Sequence, residues 1–260
     1  MKKICVILAA FLLGFFPTEA ETIKKTYDID DFTGISVTSA IQVTLEKSKT
    51  FGIEVEVPEE LLPYLVVKNR AGVLELGFAS IPLKLRQKDH GKLSRAVVRM
   101  PVLTDIELSG SATLTANDQF TNAMNNLSIK VKGSSTIQNL NVKAPEADIE
   151  ISGASKAVIN LRASEVDVEL GGASRLELNG KATELDAEVG GASRLEASGF
   201  AADDVDVKIK GASSADVRPI RHFTVDLSGA SKCRYYGDED KLKITVVKVA
   251  GASTLKHQDL

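Results

Sequence analysis

Six carboxylates recur at near-regular intervals in mid-chain: Asp148 and Glu150, Asp167 and Glu169, Asp186 and Glu188. Oxygen-rich groups in such an arrangement suit calcium, a hard cation that takes about six to eight oxygen ligands. They also suit acid chemistry on a polysaccharide, or they form a solvated face and nothing more. If the members of each column lie one strand apart, neighbouring charges repel by ~1 kcal/mol even in water. Lys130 and Lys208 stand at the two ends of the run as the expected counter-charges. Regular columns lack the convergence of a calcium loop, so the solvated face is the expected reading and calcium the alternative.

The other chemistry-bearing residues are dispersed. A serine recurs with the same rhythm, at Ser135, Ser155, Ser174, Ser193, Ser213, Ser231 and Ser253. A nucleophilic serine needs a base beside it, and His90, His222 and His257 are scattered. The serines are therefore expected to be structural, a line of hydroxyls that bond neighbouring backbone. Lys156, Arg175, Arg194 and Lys232 form a broken basic column beside Glu177 and Glu196, the pattern of surface ion pairs worth ~0–1 kcal/mol each. Asp203-Asp204 is the one tempting acidic pair, and it reads equally well as a polar turn entering a strand. Tyr235-Tyr236 could stack on a sugar ring, although one ring inside and one outside is the simpler arrangement. Residues 81–95 carry Lys84, Arg86, Lys88, Lys92 and Arg95 against Asp89. A patch for an anionic glycan or lipid headgroup competes there with a solvated loop or a charge-protected edge strand. No catalytic residue and no cofactor is assigned.

What must position these columns is a repeat. Gly-Ala-Ser at Gly172 sits in a phrase that returns nineteen residues later around Gly191. Related triplets begin at Gly110, Gly133, Gly153, Gly211, Gly229 and Gly251, and the eight glycines are spaced by 23, 20, 19, 19, 20, 18 and 22 residues. A near-fixed period of this length marks a stacked repeat. Two residues before each glycine stand Leu108, Val131, Ile151, Leu170, Val189, Ile209, Leu227 and Val249, and four before it stand Ile106, Ile129, Ile149, Val168, Ala187, Val207, Val225 and Val247. Apolar residues two apart share one face of a strand. Cys233 falls in an apolar column four residues after the glycine, with Leu114, Ile137, Ala157, Leu176, Leu195 and Leu255. It is expected to be a buried thiol acting as a small hydrophobe.

Each coil thus reads as strand, tight corner, strand, and a coil of ~20 residues buries its inner face only against a stacked neighbour. Glycine at the corner opens dihedrals closed to other residues. The expected fold is all-β, a right-handed parallel β-helix over residues 101–260, with a β-sandwich of hairpins as the alternative. Residues 21–100 are expected to supply opening coils and a cap. Ile35, Val37, Ile41, Val43 and Leu45 alternate like strands, Thr38 to Ile41 looks like a corner without its glycine, and Asn69 to Gly72 reads as a hairpin loop.

Lys2 and Lys3 precede an apolar run from Ile4 to Phe16 and a small-residue end at Ala20. This is the pattern of a signal peptide over residues 1–20, and the run is short for a span, which needs ~20 apolar residues. Its removal takes away two lysines, one glutamate and Cys5, leaving a net charge of about −4 and Cys233 alone. That charge argues against nucleic acid, and a lone cysteine excludes an internal disulfide.

The stretch Phe32-Thr-Gly-Ile-Ser-Val-Thr-Ser-Ala-Ile-Gln-Val-Thr-Leu-Glu46, followed by Gly-Ser/Ala-Ser corners, resembles the auto-transporter adhesin, head GIN domain family over about residues 27–255. The resemblance implies an exported bacterial protein of β-helix type and supplies no catalytic residues. With the last repeat closing near Leu260, no membrane barrel is expected to follow. Together these readings point to an exported, non-catalytic component of the cell envelope. Its expected location is the periplasm, the cell surface or the medium, and its expected partner a glycan or an envelope or host protein. A carbohydrate-active enzyme using the acidic face and a purely structural envelope protein are the alternatives.

Overall fold

The computed structural model describes residues 22–86 and 94–259. The signal-peptide segment and Lys88, Asp89, His90 and Lys92 of the basic stretch lie outside the described residues.

Period-two alternation becomes stacked strands because each coil leaves one apolar row and one set of backbone groups to be satisfied by the next. The repeat begins with β8 (Asp105–Leu108) and β9 (Thr113–Thr121), joined by the corner at Gly110. It continues through β10 (Leu127–Val131), β11 (Thr136–Lys143), β12 (Glu146–Ile151), β13 (Lys156–Arg162) and β14 (Glu165–Leu170). Three long strands follow, β15 (Arg175–Val189), β16 (Arg194–Ile209) and β17 (Ser214–Leu227), then β18 (Lys232–Tyr236), β19 (Lys243–Val249) and β20 (Thr254–Gln258). On one face, β8, β10, β12, β14 and the second halves of β15, β16 and β17 pair in parallel, ending at β19. On the other, β9, β11, β13 and the first halves of the same long strands pair in parallel, ending at β18 and β20. The result is a β-solenoid of about 8 turns. Parallel pairing of strands about 20 residues apart replaces the hairpins that a sandwich would need.

The first third extends both faces and then closes them. Strands β2 (Gly34–Val37) and β3 (Gln42–Lys47) form a coil directly beneath β8 and β9. Its corner has Ser39 at φ +75°, stacked on Gly110, so a serine takes the glycine position. Strands β4 (Gly52–Pro58), β5 (Leu65–Arg70), β6 (Val73–Phe78) and β7 (Arg95–Met100) lie beyond it, with β6 parallel to β2 and β7 parallel to β3. The hairpin β5–β6 turns at Ala71-Gly72, both at positive φ, and ends one face antiparallel. The other face ends in β7, β4 and the first strand β1 (Thr22–Tyr27), also antiparallel. A 3-10 turn, Glu59–Tyr64, carries Leu61 into the core at this end. Among the described residues no helix is long and apolar enough to cross a membrane.

The core is one continuous column of aliphatic side chains with Phe32, Phe120, Phe200 and Phe223 as its large members. Cys233 lies in it, in register with Ala215 and Leu255. One column differs from the sequence reading: Val225 pairs with Val246, and Val247 is the extra residue of a register shift. Val247 therefore leaves the inner row of Val225, and Val246, Val247 and Val249 all stand exposed, so the inner rows expected at Val247 and Val249 are not covered in this last strand of the face.

Candidate functional site

The columns begin with the corners. Each corner glycine has φ between +74° and +83°, a region that costs a side-chain-bearing residue about 1–3 kcal/mol. Space forbids a side chain as well, since a Cβ on Gly172 would lie 2.6 Å from the carbonyl oxygen of Gly153. That oxygen accepts the Ala173 N–H at 2.8 Å, and the same bond recurs from Ala192 to Gly172 and from Ala212 to Gly191. The eight glycines stack as one rail.

Ser135, Ser155, Ser174, Ser193, Ser213 and Ser231 point inward and are buried. Ser174 Oγ donates to the Ile151 carbonyl at 3.1 Å and lies 3.2 Å from Ser193 Oγ. Among the described residues the hydroxyls of Ser135, Ser155 and Ser213 have no hydrogen-bond partner, so the expected bonding of every serine to backbone holds for only part of the column.

Register on the first face places the carboxylates in direct stacks. Asp148, Asp167, Asp186 and Asp206 align, as do Glu150, Glu169, Glu188 and Lys208, with Glu146, Glu165, Glu184 and Asp204 as a third column alongside. The outer surface is dished into a shallow groove of about 600 Å³, running from Ser128 and Lys130 to Asp206 and Lys208. Counter-charge is sparse. Lys208 reaches Glu188 at 3.6 Å and Lys132 reaches Glu150 at 3.0 Å. It is Lys132, rather than Lys130, that supplies the second of these pairs. Asp148, Asp167, Glu169 and Asp186 make no ion pair among the described residues. Partial burial, then the charges of Asp206, Glu184 and Asp167, push the Asp186 carboxyl above its ordinary value. Desolvation, then Asp167, Glu146, Glu184 and Asp186, do the same to Glu165. In both carboxyls burial is the larger cause and the neighbouring like charges add to it.

Among the described residues no three His, Cys, Asp or Glu side chains are grouped to hold an ion. The remaining candidates resolve into structure. Asp203 and Asp204 lie within β16 where it rounds the corner after Ala202; Asp203 is ion-paired to Arg221 at 3.1 Å, and Asp204 lies 2.6 Å from His222 Nδ1, at hydrogen-bond distance. Arg175 and Arg194 meet Glu196 at 2.6 and 3.7 Å. Tyr235 is buried, donates to Glu239 at 2.7 Å and packs on Phe223 and His257, while Tyr236 is half-buried. Burial, with a smaller push from Asp216, raises the Cys233 thiol to about 12.

The sequence reading passed over a second polar surface. Asn141, Asn160 and Asn179 stack in register on the outside of the other face. Asn160 and Asn179 each stand seven residues after a corner glycine, so the period contained the signal.

The fold and its faces define a parallel β-solenoid whose recurrent charged and amide side chains lie on outer surfaces, while its serine column is buried. Residues 31–238 match the family model described as "Putative auto-transporter adhesin, head GIN domain". The chain belongs to that family. Its fold is similar to the crystal structure of a putative adhesin from Parabacteroides merdae, at 24% identity and TM-score 0.79, covering 92% of this chain and 96% of that one. A putative adhesin from Parabacteroides distasonis matches at 20% identity and TM-score 0.79, covering 92% and 98%. A putative lipid binding protein from the same species matches at 16% identity and TM-score 0.74, covering 91% and 96%. No curated protein matches the chain.

Proposed function

We propose that the protein is an exported, non-catalytic, adhesin-like component of the bacterial cell envelope whose acidic groove holds a basic segment of a protein partner. The observation that carries this reading is the uncompensated stack of carboxylates on one dished face. A run of lysines or arginines in extended conformation would lie along the columns and relieve the repulsion between them. Such association gains speed and selectivity from charge and weakens with salt. Family membership supports binding over catalysis, and the Lys2–Ala20 segment supports export. A divalent ion alone is disfavoured, because the carboxylates run in parallel rows and do not surround a point.

Two measurements test the reading on the full chain expressed in a bacterial host. Envelope fractions are expected to contain protein beginning at Glu21, and unprocessed protein confined to the cytoplasm would contradict export. The processed protein is expected to bind a lysine-rich peptide in low salt, with affinity falling as salt rises. Absence of binding in low salt would overturn the partner assignment. Release of reducing ends or unsaturated uronates from a polysaccharide, abolished by Asp167→Asn, would replace it with an enzyme.

A further inference from the structure

We infer that the outer surface of β11, β13 and the first half of β15 is a second binding groove, for a linear anionic glycan that lies along the solenoid axis. It lies around the corner from the acidic groove and does not depend on the reading of that groove. A shallow groove of about 410 Å³ runs here, lined by Gln119, Asn141, Asn160, Asn179, Arg162 and Gly180 among others. A column of amides lines it, and a column of cations, of which Arg162 reaches the groove, runs beside it. Asn141, Asn160 and Asn179 stack coil on coil, and two residues further along each strand Lys143, Arg162 and Lys181 stack beside them. Residues two apart share a face, so every one of these coils offers one amide and one cation on the same side.

The amides are half-buried and their bonding capacity is largely unspent. Asn160 Nδ2 donates to Asn139 Oδ1 at 3.2 Å, and Asn179 Nδ2 donates to Glu177 at 3.2 Å. The amide of Asn141 has no such partner among the described residues. Each free carbonyl or NH₂ edge can accept from or donate to a sugar hydroxyl. The cations Lys143, Arg162 and Lys181 make no ion pair among the described residues, unlike Arg175 and Arg194 on the neighbouring stretch. Three unpaired cations, spaced like strands at ~4.8 Å, attract an anion with a matching repeat. An extended chain of pyranoses advances by a comparable distance per sugar, so one hydroxyl-bearing, singly charged unit fits each coil. Carboxylate and sulfate groups share this chemistry, and Arg162 can grip either with two parallel N–H donors.

The groove is shaped by two glycines. Gly180 has φ +125° and interrupts the inner row of Val142 and Leu161; a Cβ there would overlap the Leu161 carbonyl. A Cβ on Gly199 would overlap the Asn179 amide oxygen, so the next coil leaves room for that amide.

Calorimetric titration of the full chain tests the inference with three probes of equal length: a (1→4)-linked oligouronate, a sulfated oligosaccharide, and the oligouronate as its uncharged methyl ester. At least one charged probe is expected to bind, with the ester at least tenfold weaker; the preference between the charged probes identifies carboxylate or sulfate as the recognised group. Arg162→Gln and Lys181→Gln are each expected to weaken binding about tenfold, and Asn160→Ala several-fold. Arg175→Gln and Asp167→Asn are expected to leave it unchanged, which separates this groove from the acidic one. Binding of neither charged probe, equal binding of the ester, or an equal loss in Arg175→Gln would overturn the inference. Circular dichroism of each variant is expected to match the parent, because the substituted side chains lie on the outer surface.

Discussion

At the glycine corner, each alanine amide donates to the glycine carbonyl of the coil before it, at 2.8 Å from Ala154 to Ala252. At the opposite corner no glycine recurs: an alanine stacks at Ala144, Ala163, Ala182 and Ala202, but the residue after it changes from coil to coil, Pro145, Ser164, Thr183 and Asp203. The coil length varies from 18 to 23 residues, and the register shifts all lie outside the stretch from two residues before each glycine to four after it. One corner is a rail that sets the stack, and the other side absorbs variation. Surface chemistry can therefore differ from coil to coil without disturbing the ladder. Both grooves lie away from the rail.

The sharpest test of this division is Gly172→Val. Positive φ and the close Gly153 carbonyl act together there, and a loss of several kcal/mol is expected in chemical denaturation. A loss below about 1 kcal/mol would remove the rail from the account. Gly180→Ala is the next largest, at about 1–3 kcal/mol. It probes the variable side at the one place where φ also forbids a side chain, and a neutral result would mean that this strand can relax outward.

The serines refine the comparison within the rail. Ser174 is hydrogen-bonded and Ser155 is not, although both are buried. Ser174→Ala is expected to cost about 1 kcal/mol, whereas Ser155→Ala is expected to be neutral or stabilising, because it removes an unsatisfied buried hydroxyl. Equal losses in thermal unfolding would show that packing, and not bonding, decides the column.

Much of this was legible in the sequence because the rail leaves a periodic trace. The glycine spacing, the inner rows at two and four residues before it and the burial of Cys233 all follow from one alignment. Where local chemistry replaces the period, legibility stops. Val247 reads as an inner residue, but a bulge takes it out of register, and the terminal strand leaves Val246 and Val249 exposed as well. Ser39 takes left-handed backbone dihedrals without being glycine. The order in which β7 packs beneath β3 while β8 packs above β2 depends on long-range pairing with no short-range signature. The Asn141, Asn160 and Asn179 stack is displaced from the common alignment because Asn141 stands eight residues after its glycine and the others seven.

Charge separates the capped end from the repeat. Glu54 in β4 is hydrogen-bonded by Lys24 and by Arg99 at 2.7 Å, which hold its carboxyl down at about 2. A depressed value stabilises the fold above the ordinary carboxylate range, and that contribution is lost as pH falls from about 4.5 toward 2. Asp186 has the opposite sign, since its raised value means that ionisation opposes folding and that protonation relieves it. Glu54→Gln is therefore expected to flatten the acid limb of a stability–pH profile. Asp186→Asn is expected to be more stable than the parent at neutral pH, with the difference vanishing in acid. The reverse signs would contradict the assignment of paired and unpaired charge. Glu169→Gln, exposed and without an ion pair, is expected to change stability by no more than about 0.5 kcal/mol.

The proposed role of the acidic face in binding a basic partner separates it from the rail, which holds the solenoid together. The double variant Asp167→Asn/Asp186→Asn tests it in one sample set, by denaturation and by titration with the lysine-rich peptide at low salt. Stability is expected to be unchanged or higher while affinity falls at least tenfold. A clear loss of stability with affinity intact would contradict the claim.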